Sequence, residues 1–267
     1  MRWRVLLPAG ALAVVALMIA ILAHRPCRSF EISSRVLGES RTVLTYLPTD
    51  YDSSGASYPV LVHLDASPLR VALAPSFYET AKRINAPGGP VPEMMVFGVI
   101  NTDRSRDMIA CPDTGASAAE GARDFLRFIT EELLPAIESR YRAGGMRILY
   151  GRSDSGLFAL YALVEAPDAF QAVITSSPSL DRCPEFVGER FTRLFRERPD
   201  LGTTLFLIYG SNELRVSSRV PAFAELIRAS SPAGFTLGVS SVPNGGHVPR
   251  NSLEEGLRFV AARSGIR

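Results

Sequence analysis

A chain of 267 residues, 46% of them hydrophobic, has enough material for one large α/β domain with a full core. Its 29 basic and 27 acidic residues nearly balance to a formal net charge of +2, and no basic run alternates with aromatic residues. That excludes a nucleic-acid surface or an acidic partner as the organising function.

The amino terminus differs in kind from the rest. MRWR is followed by Val5 to Ala23 without a charge, and then by His24, Arg25 and Arg28. The apolar run approaches the roughly 20 residues that span a bilayer, and the positive start keeps Arg2 and Arg4 inside. No clean small-x-small cleavage site ends the run. Residues 1–28 are therefore expected to be a signal anchor held in the inner membrane through residues 5–23, with a cleaved signal peptide as the alternative. Residues 29–267 are expected to form one exported domain, periplasmic or extracellular. Cys27 would sit beside the membrane. Cys111 and Cys183 lie in loops after strands, where they either pair or remain two thiols. No cysteine spacing suggests a metal site.

Beyond Ser29 the pattern alternates between β-rich and helical stretches, which predicts a mostly parallel sheet with helices on both faces. Phe30 to Val36 and Arg41 to Leu47 read as an antiparallel entry. Val60 to Leu64 is a buried strand ending at Asp65, Ser76 to Ile84 a short helix, and Met94 to Ile100 the next strand. Ala118 to Arg142 is the longest helix, with Phe125, Phe128, Ile129, Leu133 and Ile137 on one face and a kink expected at Pro135. Strand Ile148 to Tyr150 and helix Leu157 to Leu163 follow. Then come strand Ala172 to Thr175, a helix around Phe186 to Phe195, strand Thr204 to Tyr209, a helix near Val220 to Ile227 and strand Thr236 to Val242. In the last helix Ser252 and Glu255 form a capping-box signature, and Leu253, Leu257 and Val260 are buried.

The turn between Tyr150 and Leu157 reads Gly151-Arg152-Ser153-Asp154-Ser155-Gly156. A strand turning sharply into a helix crowds the residues two before and two after its apex, so small side chains are needed there. The apex is pushed outward at a helix amino terminus, where backbone N–H groups favour negative charge. This is a relaxed form of the nucleophile elbow G-x-S-x-G, with Ser155 replacing the last glycine. An apex at Ser155 would place Leu157 where a small residue is required, so Ser153 is the better nucleophile.

A serine hydroxyl needs a base within hydrogen-bond reach. His24 belongs to the membrane flank, and His63 lies inside a buried strand as a core or sheet-face residue. His247, in the glycine-rich loop between the last strand and the last helix, is left as the base. The acid that orients it should follow a strand between the two. Glu213, after strand Thr204 to Tyr209, fits better than Asp181. The oxyanion hole needs two backbone N–H donors. Asp154 should supply one, with its side chain turned away, and Ala66 or Ser67 the other, Ala66 being placed first.

Several segments together, RTVLTYLPTDY with YPVLVHLD, NTDRSRDM, FLRFITEELLPAIESRYR, YGRSDSGLFALYAL with SSPSL, and the terminal GGH, give the chain a resemblance from about Arg35 to Phe259. It resembles the putative-esterase family of α/β-hydrolases, which includes esterase D, the ferric-enterobactin esterases and the mycolyltransferases. The resemblance implies an α/β-hydrolase fold and an acyl-enzyme esterase. Carried over residue by residue, it implies Ser153, Glu213 and His247 as the triad. Arg104, Arg106 and Asp107 match a motif expected to brace the loop near the site. The chain departs from the pattern at Arg152, where histidine is common, and at Asp154-Ser155, where an apolar residue and glycine are usual. It departs again at Asp181-Arg182, where tryptophan is common and where the pair is expected to line the substrate pocket.

The expected function is that of a serine carboxylic-ester hydrolase acting on a small ester, with the siderophore esterases the nearest-looking branch. No metal or organic cofactor is implied. The alternatives are an acyltransferase on the same site and a catalytically impaired, envelope-anchored binding protein.

Overall fold

The computed structural model describes residues 27–69, 76–89, 91–111, 116–214 and 218–264. The expected membrane segment, residues 5–23, lies outside these. Among the described residues no helix is long and apolar enough to cross a membrane.

Eight strands form one sheet: β1 (Cys27–Ser34), β2 (Glu39–Tyr46), β3 (Tyr58–His63), β4 (Met95–Val99), β5 (Ala143–Arg152), β6 (Ala172–Ser176), β7 (Thr204–Gly210) and β8 (Thr236–Val242). Their spatial order is β1-β2-β4-β3-β5-β6-β7-β8. β1 and β2 are antiparallel to their neighbours, and the six strands from β4 to β8 run parallel. This is the architecture of an α/β-hydrolase. The parallel strands read as unbroken apolar runs because both faces are covered: β4 and β6 are buried at every position.

Helices α1 (Tyr51–Ser54) and α2 (Phe77–Ile84) precede β4, and α3 (Arg104–Met108) follows it. A long run, α4, joins Ala116–Arg127, a π-helical segment Phe128–Leu133 and Leu134–Arg140. Then come α5 (Asp154–Glu165), α6 (Pro184–Glu197), α7 (Arg219–Ser230) and α8 (Ser252–Ser264). The side chains of α4 to α7 pack on one sheet face, around Phe125, Phe158, Phe191 and Phe223. Those of α2 and α8 pack on the other, where Phe77, Ile84, Leu253 and Leu257 meet Leu61, Ile148 and Ile208.

Three local features refine the expectations. Pro135 lies just after the π segment, so the helix absorbs a residue without an N–H by widening for one turn; the Leu134 N–H donates to the Ile129 carbonyl. Helix α2 is firmly capped, for Ser76 and Glu79 form a reciprocal capping box. Ser252, expected to cap α8, is instead its first helical residue, and its hydroxyl pairs with the Tyr150 hydroxyl at 3.1 Å.

Candidate active site

The elbow takes shape where β5 meets α5. Ser153 has φ +54° and ψ −121°, a left-handed backbone that costs a non-glycine residue about 1–3 kcal/mol and persists only when the surroundings enforce it. The enforcement is visible. The Ser153 N–H donates to the Ser176 carbonyl (2.9 Å), and the Ser153 carbonyl accepts from Leu157 N–H (3.0 Å) and Ser179 N–H (3.1 Å). A Cβ on Gly151 would lie 2.0 Å from the Ser155 carbonyl oxygen, so only glycine fits there. Ser155 is fully buried; its hydroxyl donates to the Arg152 carbonyl and accepts from the Arg152 N–H, both at 2.8 Å. The serine that replaces the usual glycine thus ties the turn shut.

Glu213 and His247 come from the loops after β7 and β8, and the structure brings them into direct contact: His247 Nδ1 is hydrogen-bonded to the Glu213 carboxylate. The two loops can meet because Gly210 ends β7; a Cβ there would lie 2.1 Å from the Gly246 carbonyl oxygen. Asn212 N–H donates to the Gly245 carbonyl, and the Ser211 hydroxyl accepts from Asn244 N–H. Ser153, Glu213 and His247 line one cleft of about 480 Å³, together with Asp154, Ser179, Asp181 and Arg182. Among the described residues no hydrogen bond joins Ser153 to His247. The Ser153 hydroxyl pairs with Ser179 Oγ at 3.3 Å, and apo sites often show such loose geometry.

The carboxylate of Asp154 is held by two arginines. It accepts from Arg104 Nη1 (2.8 Å), Arg182 Nε (2.8 Å) and Arg182 Nη2 (3.2 Å). Burial alone would raise its pKa, but hydrogen bonds from Arg182 and Ser179 and the charges of Arg104 and Arg182 hold it below the usual carboxylate range. Arg104 also donates from Nε to Asp65 (2.8 Å), which accepts from Asn101 Nδ2 as well (2.9 Å). Asp65 has φ +55° and begins the loop after β3. One guanidinium therefore bridges the loop after β3 and the first turn of α5.

Ala66 must be corrected as a donor. Its N–H is already donated to the Val99 carbonyl at 3.0 Å, which leaves Ser67 as the next amide of that loop. Arg182 lines the cleft as expected, but its guanidinium is committed to Asp154. Ser179 was missed, although the SSPSL segment carried it in plain sight. Arg104 was expected to brace the loop near the site and does bond Asp65 there, but its contact with Asp154, across 50 residues, leaves no local mark. Arg106 and Asp107 brace β2 and α3. Arg41 and Asp107, both wholly buried, pair at 2.6 Å, and Arg106 bonds Asp107 and Glu39. The cysteine question is resolved as well: Cys111 and Cys183 form a disulfide, with Cα atoms 5.8 Å apart.

Comparison with known proteins shows the family and the fold. The family described as "Putative esterase" matches residues 34–225. The ferri-bacillibactin esterase BesA of Bacillus subtilis is 48% identical over 61 residues, 22% of this chain and 21% of that protein. The siderophore triacetylfusarinine C esterase of Aspergillus fumigatus is 26% identical over 174 residues, 61% of this chain and 60% of that one. The matches thus span from about a fifth to three-fifths of these relatives. An IroE-like serine hydrolase from Shewanella oneidensis superposes with a TM-score of 0.73 at 25% identity, covering 88% of this chain and 79% of that one. The siderophore hydrolase EstB of Aspergillus nidulans gives 0.72 at 20% identity, covering 90% and 96%, which speaks to the fold alone.

Proposed function

The chain belongs to the family described as "Putative esterase", and from that premise we propose that it is a serine carboxylic-ester hydrolase with Ser153 as nucleophile, His247 as base and Glu213 as the orienting acid. The observation that carries the reading is the pairing of His247 with Glu213 in the same cleft as a serine held at φ +54°.

In the proposed reaction, Ser153 Oγ bonds to the ester carbonyl carbon as His247 takes its proton. The carbonyl oxygen becomes an anion facing the Asp154 and Ser67 N–H groups. Collapse breaks the bond to the alcohol oxygen, which leaves with the proton from His247 and gives the acyl-enzyme. Water, deprotonated by His247, attacks that ester in turn and releases the acid and free Ser153. Asp154 lies at the first turn of α5, where its N–H has no intrahelical partner. The names of the relatives favour siderophore-like esters as the substrate class. Export, with residues 5–23 as the anchor, is favoured by the disulfide, since such bonds persist in oxidising compartments.

The test is hydrolysis of short and medium p-nitrophenyl esters by the protein and its Ser153→Ala and Ser155→Ala variants. Ser153→Ala should lose several orders of magnitude in kcat. Ser155→Ala should lose far less, because it loosens the turn without removing the nucleophile. Wild-type turnover by Ser153→Ala would end this reading.

A further inference from the structure

Beside the Ser153 cleft lies a larger cavity of about 790 Å³, which shares His247 with it. Its walls include His63, Tyr150, Arg152, Ile208 and Val242. Tyr150 and Arg152 are two residues apart at the end of β5, so they leave the strand on the same side. That side is the one covered by α2 and α8.

Two observations mark the cavity as a built site. The first is Arg152. It is partly buried, and among the described residues its guanidinium makes no ion pair and donates no hydrogen bond; only its backbone is engaged, by Ser155. By contrast Arg83, on the same wall, is held by Glu254. A guanidinium drawn partly out of water and facing open space is left with donors that an anionic oxygen pair would satisfy. The second is His63, only 5% exposed, whose Nδ1 has no hydrogen-bond partner. Its ring stacks between Phe77 and Tyr150, with centroids 6.1 and 5.1 Å away. Burial first, and then the charge of Arg152, lower its pKa to about 3, so the imidazole is neutral and adds hydrogen bonding without charge. The cavity therefore offers the unpaired, partly buried guanidinium of Arg152 and one neutral polar group between aromatic and aliphatic walls, while the more exposed Arg250 and the Glu255 carboxylate, of opposite charge, also line it.

We propose that this cavity receives a carboxylate-bearing portion of the ester substrate and that Arg152 determines the preference for it. The inference rests on the esterase reading, because the cavity opens beside the proposed base.

The test uses two probe pairs that differ only in charge. The acyl-side pair is the mono-p-nitrophenyl ester of glutaric acid and its primary-amide counterpart; the alcohol-side pair is 4-acetoxybenzoate and 4-acetoxybenzamide. The quantity compared is the carboxylate-to-amide ratio of kcat/KM, so intrinsic reactivity cancels between variants. In at least one pair Arg152→Gln should lower that ratio about 10- to 100-fold, mostly through KM, and Arg152→Lys should restore part of it. Ratios equal in wild type and Arg152→Gln for both pairs would overturn the inference while leaving the esterase reading intact, provided the neutral probes still turn over in a Ser153-dependent way. Calorimetric titration of Ser153→Ala protein with the benzoate and benzamide reads the preference without turnover. A benzoate preference there that Arg152→Gln removes supports the inference even if no ester is hydrolysed, in which case only the esterase reading fails. With turnover absent, no preference there overturns it.

Discussion

An ionised side chain beside an oxyanion would raise the energy of the developing charge, and the Asp154 carboxylate is offset by Arg104 and Arg182, each at 2.8 Å. Arg104→Gln should remove half of that compensation. We expect kcat to fall about tenfold or more, with a smaller change in KM, since an uncompensated charge beside the proposed oxyanion site costs transition-state rather than ground-state binding. The loss should shrink as pH falls. In the variant the Asp154 pKa returns toward the ordinary carboxylate range, so acid neutralises the offending charge there before it does in the wild type. Kinetics of both proteins from neutral pH down to about 4.5, compared as a ratio, would check this. At this scale the residues of the proposed triad were singled out in the sequence because each sits at a strand end marked by glycine or a sharp turn. Ala66 was misjudged because the partner of its N–H, Val99, lies on the neighbouring strand, and adjacency across a sheet is not written locally. The serine at 155 read as a relaxed form of the elbow, and its two bonds to Arg152 make it a clasp.

Elements are joined here by charge as well as by apolar packing. Asp107 on α3 accepts from Arg41 on β2, both wholly buried, and from the half-buried Arg106, which also bonds Glu39. Removing one partner from such a cluster leaves an uncompensated charge, so Asp107→Asn should lower unfolding stability by about 3–5 kcal/mol. Urea denaturation followed by circular dichroism would read it, and a change below about 1 kcal/mol would show that the cluster relaxes freely. The strands were legible to within a few residues because buried parallel strands are short apolar runs between turn signals. Strand β5 was the exception, extending back to Ala143 through glycines that a propensity argument would exclude from a strand. The long helix was expected to kink at Pro135. That a π segment would take up the missing donor depends on how the turn before it packs, which a helical-wheel pattern does not record.

At the scale of the whole molecule, the Cys111–Cys183 disulfide closes a separation of 72 residues and links the loop after α3 to the start of α6, next to Arg182. In the chain-entropy account a loop of that length contributes about 4 kcal/mol. Replacing both cysteines by serine should therefore lower the melting temperature by several degrees, as should reduction of the wild type, while reduction should leave the double variant unmoved; scanning calorimetry with and without reductant would decide. The parallel topology was legible from the alternation of elements, and the pairing of the cysteines was not, because sequence separation says nothing about approach in space. The left-handed backbone at Ser153 carries a last consequence. A folded domain is held by only about 5–15 kcal/mol in total, and the conformation that thrusts this hydroxyl into the cleft consumes about 1–3 of it. Heat resistance and turnover are therefore opposed at this one position: the most robust form of this fold would relax the serine, and in relaxing it would withdraw the hydroxyl from the cleft.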